Sequence, residues 1–177
     1  MQQQPLLVVL AGRPGTGKTT LVRRLAARVH AAYVRTDAIA TALMSQGLTQ
    51  EPSTAGRVSY VVAHEIVTGT LQAGTPVVVD AVNATHERRA DWVALAQSQG
   101  ARLVVLETPL GDPEEHRRRV EERRPDLAGQ VVPSWAWVQA QPYDAWGESR
   151  DGPRHVVDMS DGARGVEAAM QHIGSPG

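Results

Sequence analysis

Residues 12–19 read Gly-Arg-Pro-Gly-Thr-Gly-Lys-Thr. They fit the pattern G-x-x-x-x-G-K-[ST] at every position. Gly12, Pro14, Gly15, Thr16 and Gly17 form the turn that brings backbone N–H groups close to phosphate oxygens. A helix that starts at this turn aims its positive dipole end at the same oxygens. Lys18 reaches the β- and γ-phosphates as a point charge on a flexible stem. Thr19 offers its hydroxyl to Mg²⁺. Thr20 stands next in line for the α-phosphate. Lys18 is also the one lysine among eighteen basic residues. In an arginine-biased chain, a surviving lysine marks a position that arginine does not fill equally well. A dinucleotide fingerprint fails here, because Thr20 stands where a glycine is needed.

Two aspartates follow at the ends of apolar runs. Asp37 closes Tyr33-Val34-Arg35-Thr36-Asp37. A carboxylate beside a phosphate loop can take the proton of an attacking hydroxyl. The same residue also reads as an N-cap for a helix over 38–46. Asp80 closes Val77-Val78-Val79-Asp80, which matches a Walker B carboxylate for Mg²⁺. Asn83 lies three residues on and is a candidate either for substrate contact or for ordering the loop. The segment Asp112–Arg124 is laced with ion pairs at (i, i+4), and it carries Arg119 and Arg123. Two arginines one helical turn apart repel by a few tenths of a kcal/mol unless an anion lies between them. A transferring phosphoryl group is such an anion. The six histidines have no metal-ligand spacing. Trp135, Trp137 and Trp146 read either as a stacking platform or as packing.

These residues need a frame. Strands are expected at Leu6–Ala11, Ala32–Arg35, Pro76–Asp80, Arg102–Glu107 and His155–Asp158, each continuously apolar as in a sheet covered on both faces. Helices are expected over 19–30, 38–46, 54–72, 85–99, 112–124, 134–141 and 162–173, with 147–153 a loop. Strands alternating with helices predict a parallel sheet with helices on both faces. The 177 residues suffice for one domain. Residues 174–177 read as a frayed end. The first apolar run is too short for a signal peptide or a spanning helix. Cysteine is absent, which excludes thiolate chemistry and fits a cytoplasmic protein. A net charge of −1 gives no global pull towards nucleic acid or an anionic membrane. No Asn-Lys-x-Asp segment is present to read guanine.

Together, Gly12–Thr20, Thr36-Asp37, Asp80–Asn83, Glu87-Arg88-Arg89 and Arg119/Arg123 resemble the AAA-type P-loop kinases grouped with phage polynucleotide 5′-kinase. Chloramphenicol phosphotransferase-like and gluconate-kinase-like proteins are similar. The resemblance spans about residues 6–160. It implies a three-layer P-loop fold with a five-stranded parallel sheet in the order 2-3-1-4-5. It implies ATP and Mg²⁺, Asp37 as general base, Arg123 as an arginine of a lid over 112–126, and the loop 158–162 beside adenine. One departure bears on the acceptor. The polynucleotide kinase pattern has an arginine three residues after the catalytic aspartate, and here Ala40 stands there. Together with the charge balance, this favours a small-molecule or nucleotide-like hydroxyl acceptor over a polynucleotide end. A non-kinase ATP-binding module is the other alternative.

Overall fold

A computed structural model describes residues 4–174. Five parallel strands form one sheet in the order β2-β3-β1-β4-β5. They are β1 (Leu6–Ala11), β2 (Ala32–Arg35), β3 (Val77–Asp80), β4 (Arg102–Glu107) and β5 (His155–Val156). The helices are α1 (Lys18–Arg28), α2 (Thr36–Ser45), α3 (Pro52–Gln72), α4 (His86–Ser98), α5 (Pro113–Glu121), α6 (Trp135–Ala140), α7 (Glu148–Asp151) and α8 (Gly162–Gly174). Among the described residues, no helix is long and apolar enough to cross a membrane.

The continuous apolar runs are explained by what covers them. Successive side chains of a strand point to opposite faces. Val8 and Leu10 of β1, Val78 of β3 and Val104 and Leu106 of β4 pack on one face against Leu21, Val22 and Leu25 of α1 and Val166, Ala169 and Ile173 of α8. Leu7, Val9, Val77 and Val79 pack on the other against Ala63, Val67 and Leu71 of α3 and Trp92, Leu95 and Ala96 of α4. Both layers are closed and, apart from Trp92, aliphatic, so Leu10→Ala should cost about 2–5 kcal/mol.

Several boundaries differ from expectation. α2 begins at Thr36 with Arg35 at its N-cap position, so Asp37 lies inside the first turn and caps nothing. α5 stops at Glu121 rather than continuing to Arg124. Pro125 disfavours helical geometry at Arg124, and the chain has already turned off. The stretch read as a loop at 147–153 contains α7, a single turn held by Gly147 N–H donating to Asp151 Oδ2 at 2.8 Å. β5 is two residues long, although Val157 N–H still donates to the Glu107 carbonyl at 2.8 Å. Gly174 closes α8, and residues 175–177 lie outside the described residues.

Candidate active site

The sheet order places β1 centrally, so the loop that leaves it opens between the C-terminal ends of β3 and β4. Gly12 N–H donates to the Val82 carbonyl at 3.1 Å. A Cβ on Gly12 would stand 2.9 Å from the Thr108 carbonyl and 2.8 Å from its hydroxyl, so only glycine lets the loop pass there. Gly15 has φ +86°, and a Cβ on it would stand 2.7 Å from Val120 of α5. Thr16 Oγ1 donates to the Arg13 carbonyl at 2.9 Å and lies 2.9 Å from Thr108 Oγ1. His116 Nε2 donates to the Pro14 carbonyl at 2.7 Å. Arg13 donates to the carbonyls of Val138 and Gln141 at 2.8 and 3.0 Å, which ties the loop tip to α6.

Lys18 is buried, and its ammonium donates to the carbonyls of Gly12 and Arg13 at 2.6 and 2.8 Å. Burial pushes its pKa down, Asp80 and Asp37 oppose that, and Arg123 and Arg35 add to it. The ammonium therefore lies in the field of both sequence-singled aspartates. Thr19 Oγ1 donates to Asp80 Oδ2 at 2.7 Å. Asp80 is buried and also accepts from the Tyr33 hydroxyl at 3.2 Å. Thr20 is exposed in the first turn of α1.

Asp37 is held differently. Its side chain is 50% exposed and lies 3.8 Å from Arg35 and 3.9 Å from Arg123. The structure thus brings Arg123 to Asp37 rather than stacking it on Arg119, because α5 ends before the second arginine. Arg119 instead donates to Glu115 Oε1 at 2.6 Å and to the Met159 carbonyl at 3.1 Å. That bond brings the loop 158–162 against α5.

Asn83 takes the second of its two expected roles and orders the loop. Its Nδ2 donates to the Leu10 carbonyl at 2.6 Å, and its Oδ1 accepts from Trp92 Nε1 at 2.9 Å. The residue is buried at φ +50°, and both ends of its amide are engaged in the core. It fixes the loop after β3 and leaves no free amide atom for a substrate. The tryptophans form no common platform: Trp135 meets His116 edge-on, Trp137 is exposed, and Trp146 lies against Arg89 and Arg154.

Other residues near the site have partners that no spacing in the sequence indicates. Buried Arg35 makes a two-pronged bond to Asp126, at 2.8 and 3.0 Å, and Arg23 adds another at 2.7 Å. Hydrogen bonding from Arg35 holds the Asp126 carboxyl below the usual range, against its partial burial. This latch ties the segment after α5 to β2 and α1. Arg89 is buried and donates to Asp151 at 3.0 Å, to the Asn83 carbonyl at 2.9 Å and to the Asp144 carbonyl at 2.8 Å. Burial works against the Asp151 carboxylate, but bonds from Gly147, His86 and Arg89 outweigh it and keep its pKa low. An arginine ending a buried strand was the one available signal for Arg35.

A model of the AAA domain family matches residues 7–140. The chain belongs to this AAA domain family. No curated protein sequence matches it. Among solved structures, a kinase candidate from Chloroflexus aurantiacus superposes with TM-score 0.74 at 18% identity, covering 98% of each chain. A gluconokinase from Sinorhizobium meliloti 1021 superposes with TM-score 0.63 at 21% identity, over 97% of this chain and 93% of its own. The Mycobacterium tuberculosis APS kinase CysC, solved with AMPPNP and APS, gives TM-score 0.66 at 18% identity, over 96% of each chain. At these identities the likeness is one of fold: this AAA domain has the P-loop fold shared by kinases.

Proposed function

We propose that this chain is an ATP-dependent kinase that transfers the γ-phosphate to a hydroxyl of a small-molecule or nucleotide-like acceptor, with residues 1–177 forming one domain. The observation that carries this reading is Asp37. It is half exposed, sits beside the phosphate loop in the field of Lys18, and is flanked by Arg123. A structural cap would hold backbone N–H groups, and this carboxylate holds none.

Thr19 and Asp80 offer a hydroxyl and a carboxylate in direct contact, a hard-oxygen pair suited to Mg²⁺ that keeps phosphate and water ligands. No group of three metal-ligating side chains occurs among the described residues, so the nucleotide would complete the set. Mg²⁺ supplies charge neutralisation at the β- and γ-phosphates when bound. The protein does the rest. Gly12, whose N–H holds the Val82 carbonyl, and Pro14 shape the turn, and the backbone N–H groups of Gly15, Thr16 and Gly17 receive the phosphates, with Thr20 towards the α-phosphate. Lys18 turns from its loop carbonyls towards the γ-phosphate. Asp37 orients the acceptor hydroxyl and takes its proton as the new O–P bond forms and the β–γ bridge breaks. Arg119 and Arg123, on the lid segment 112–126, bring positive charge to the transferring group.

The test is ATP turnover with Mg²⁺ across nucleosides, sugars, aminoglycosides, chloramphenicol-like compounds and 5′-hydroxyl oligonucleotides, each beside Asp37→Asn. One acceptor should become phosphorylated, and only with Asp37 present. Tight ATP binding with no acceptor phosphorylated would instead favour a nucleotide-dependent switch. Activity confined to oligonucleotides, with steep salt dependence, would make the acceptor a polynucleotide end.

A further inference from the structure

Most arginines here hold a carboxylate: Arg23, Arg35, Arg89, Arg118 and Arg154 each bond one directly. Arg88 does not. Asp91, at (i, i+3) on α4, is the ordinary helical partner, yet no such pair forms. The Arg88 guanidinium lies over the Tyr60 ring instead, its Cζ 4.1 Å from the centroid. Among the described residues it has neither an ion pair nor a side-chain hydrogen bond. A guanidinium held over a ring keeps its N–H donors available, and those donors can fork onto an oxyanion.

Tyr60 places this group at the site. Its hydroxyl accepts from Asn83 N–H at 3.0 Å, in the loop whose Val82 carbonyl holds Gly12. Burial pushes its phenol up to about 12, with Asp37 and Asp80 adding and Arg88 opposing. Tyr60 therefore feels the proposed base and the stacked arginine together. One turn earlier on α3, exposed Arg57 also lacks a carboxylate among the described residues. Arg88 thus lies over the Tyr60 ring, and Arg57 stands three residues before Tyr60 on the same helix.

We infer that Arg88, stacked on Tyr60 and supported by Arg57, is a specificity-determining anion site, and that the acceptor carries its own oxyanion, a phosphate or carboxylate, besides the hydroxyl it offers. This deepens the kinase reading and rests on it for the meaning of "acceptor".

The test loads the full chain with Mg²⁺ and AMPPNP and measures binding of matched pairs by calorimetry: adenosine 5′-monophosphate against adenosine, D-glucose 6-phosphate against D-glucose, and D-gluconate against D-glucose. In at least one pair the anionic member should bind tenfold tighter or more. Arg88→Gln should erase that preference and leave AMPPNP affinity and thermal midpoint unchanged. Arg88→Lys keeps the charge without the flat fork and should fall between. Equal binding within every pair, or a preference that survives Arg88→Gln, overturns the site. The two readings fail separately. Anion preference lost in Arg88→Gln with no phosphate ever transferred removes the kinase and keeps the site. Transfer to neutral acceptors, indifferent to Arg88, does the reverse.

Discussion

The phosphate loop and the proposed acceptor side meet at Asp37 and are built in opposite ways. In the loop, polar groups are committed. Lys18 holds two carbonyls, Thr16 holds one, and Thr19 holds Asp80. Glycines stand where a Cβ would collide with Thr108 or Val120. On the proposed acceptor side, Asp37 is half exposed with its arginines at 3.8 and 3.9 Å, and Arg57 and Arg88 hold no carboxylate among the described residues. A triphosphate has one shape, so a fixed cradle serves it. Acceptors differ between kinases, and a few long side chains on helices can be exchanged without touching the cradle.

The largest expected effect breaks the committed side. Lys18→Ala should lower phosphoryl transfer by about 10³-fold, the scale of removing one preorganised charge from a transition state. Ordinary turnover in that variant would mean that the cradle is not where transfer happens. Next comes the wall behind the site. Arg89 and Asp151 are an almost fully buried pair, so Asp151→Ala should cost about 3–5 kcal/mol by denaturant unfolding. A loss of acceptor selectivity without loss of stability would place that pair on the acceptor side instead. Asp126→Asn removes the anionic half of the Arg35 latch and should cost about 1 kcal/mol, since Asp126 is partly exposed. If acceptor binding changes while AMPPNP affinity does not, the latch positions Arg123 and Asp37 rather than the loop.

The smallest effect is on pH. Burial lowers the His64 and His155 pKa values, and the positive charge of His172, whose ring lies 4.0 Å away, lowers His155 further. The unfolded chain therefore binds these protons first. Their contribution to stability is complete above about pH 6.5 and falls as the pH drops below it. Asp126, held low by Arg35, keeps its contribution until the pH falls below about 4. A thermal midpoint that rises between pH 7 and 5 would contradict the histidine assignment.

Much of the frame was legible. Runs such as Leu6–Ala11 and Arg102–Glu107 are apolar without alternation because both faces of the sheet are covered, and that fixes a parallel α/β sheet before any contact is known. The phosphate loop was legible because its demands are local. What escaped depends on partners distant in sequence. Asn83 read either as a substrate contact or as a loop-ordering residue, and only the fold shows the Leu10 carbonyl and Trp92 closing over it. Arg88 and Arg89 are neighbours that a helix turns about 100° apart, so one enters the core and the other stacks at the site. No spacing rule says which. Arg35 and Asp126 are 91 residues apart, and only the fold shows that they meet.

The central claim is that Asp37 serves phosphoryl transfer and not nucleotide binding. The direct measurement is AMPPNP affinity and γ-phosphate transfer from ATP in the same preparations of wild type and Asp37→Asn, with the acceptor found by the panel. Unchanged affinity with transfer lower by about 10²–10⁴-fold is the predicted result. Weakened nucleotide binding, or transfer at the wild-type rate, would contradict it.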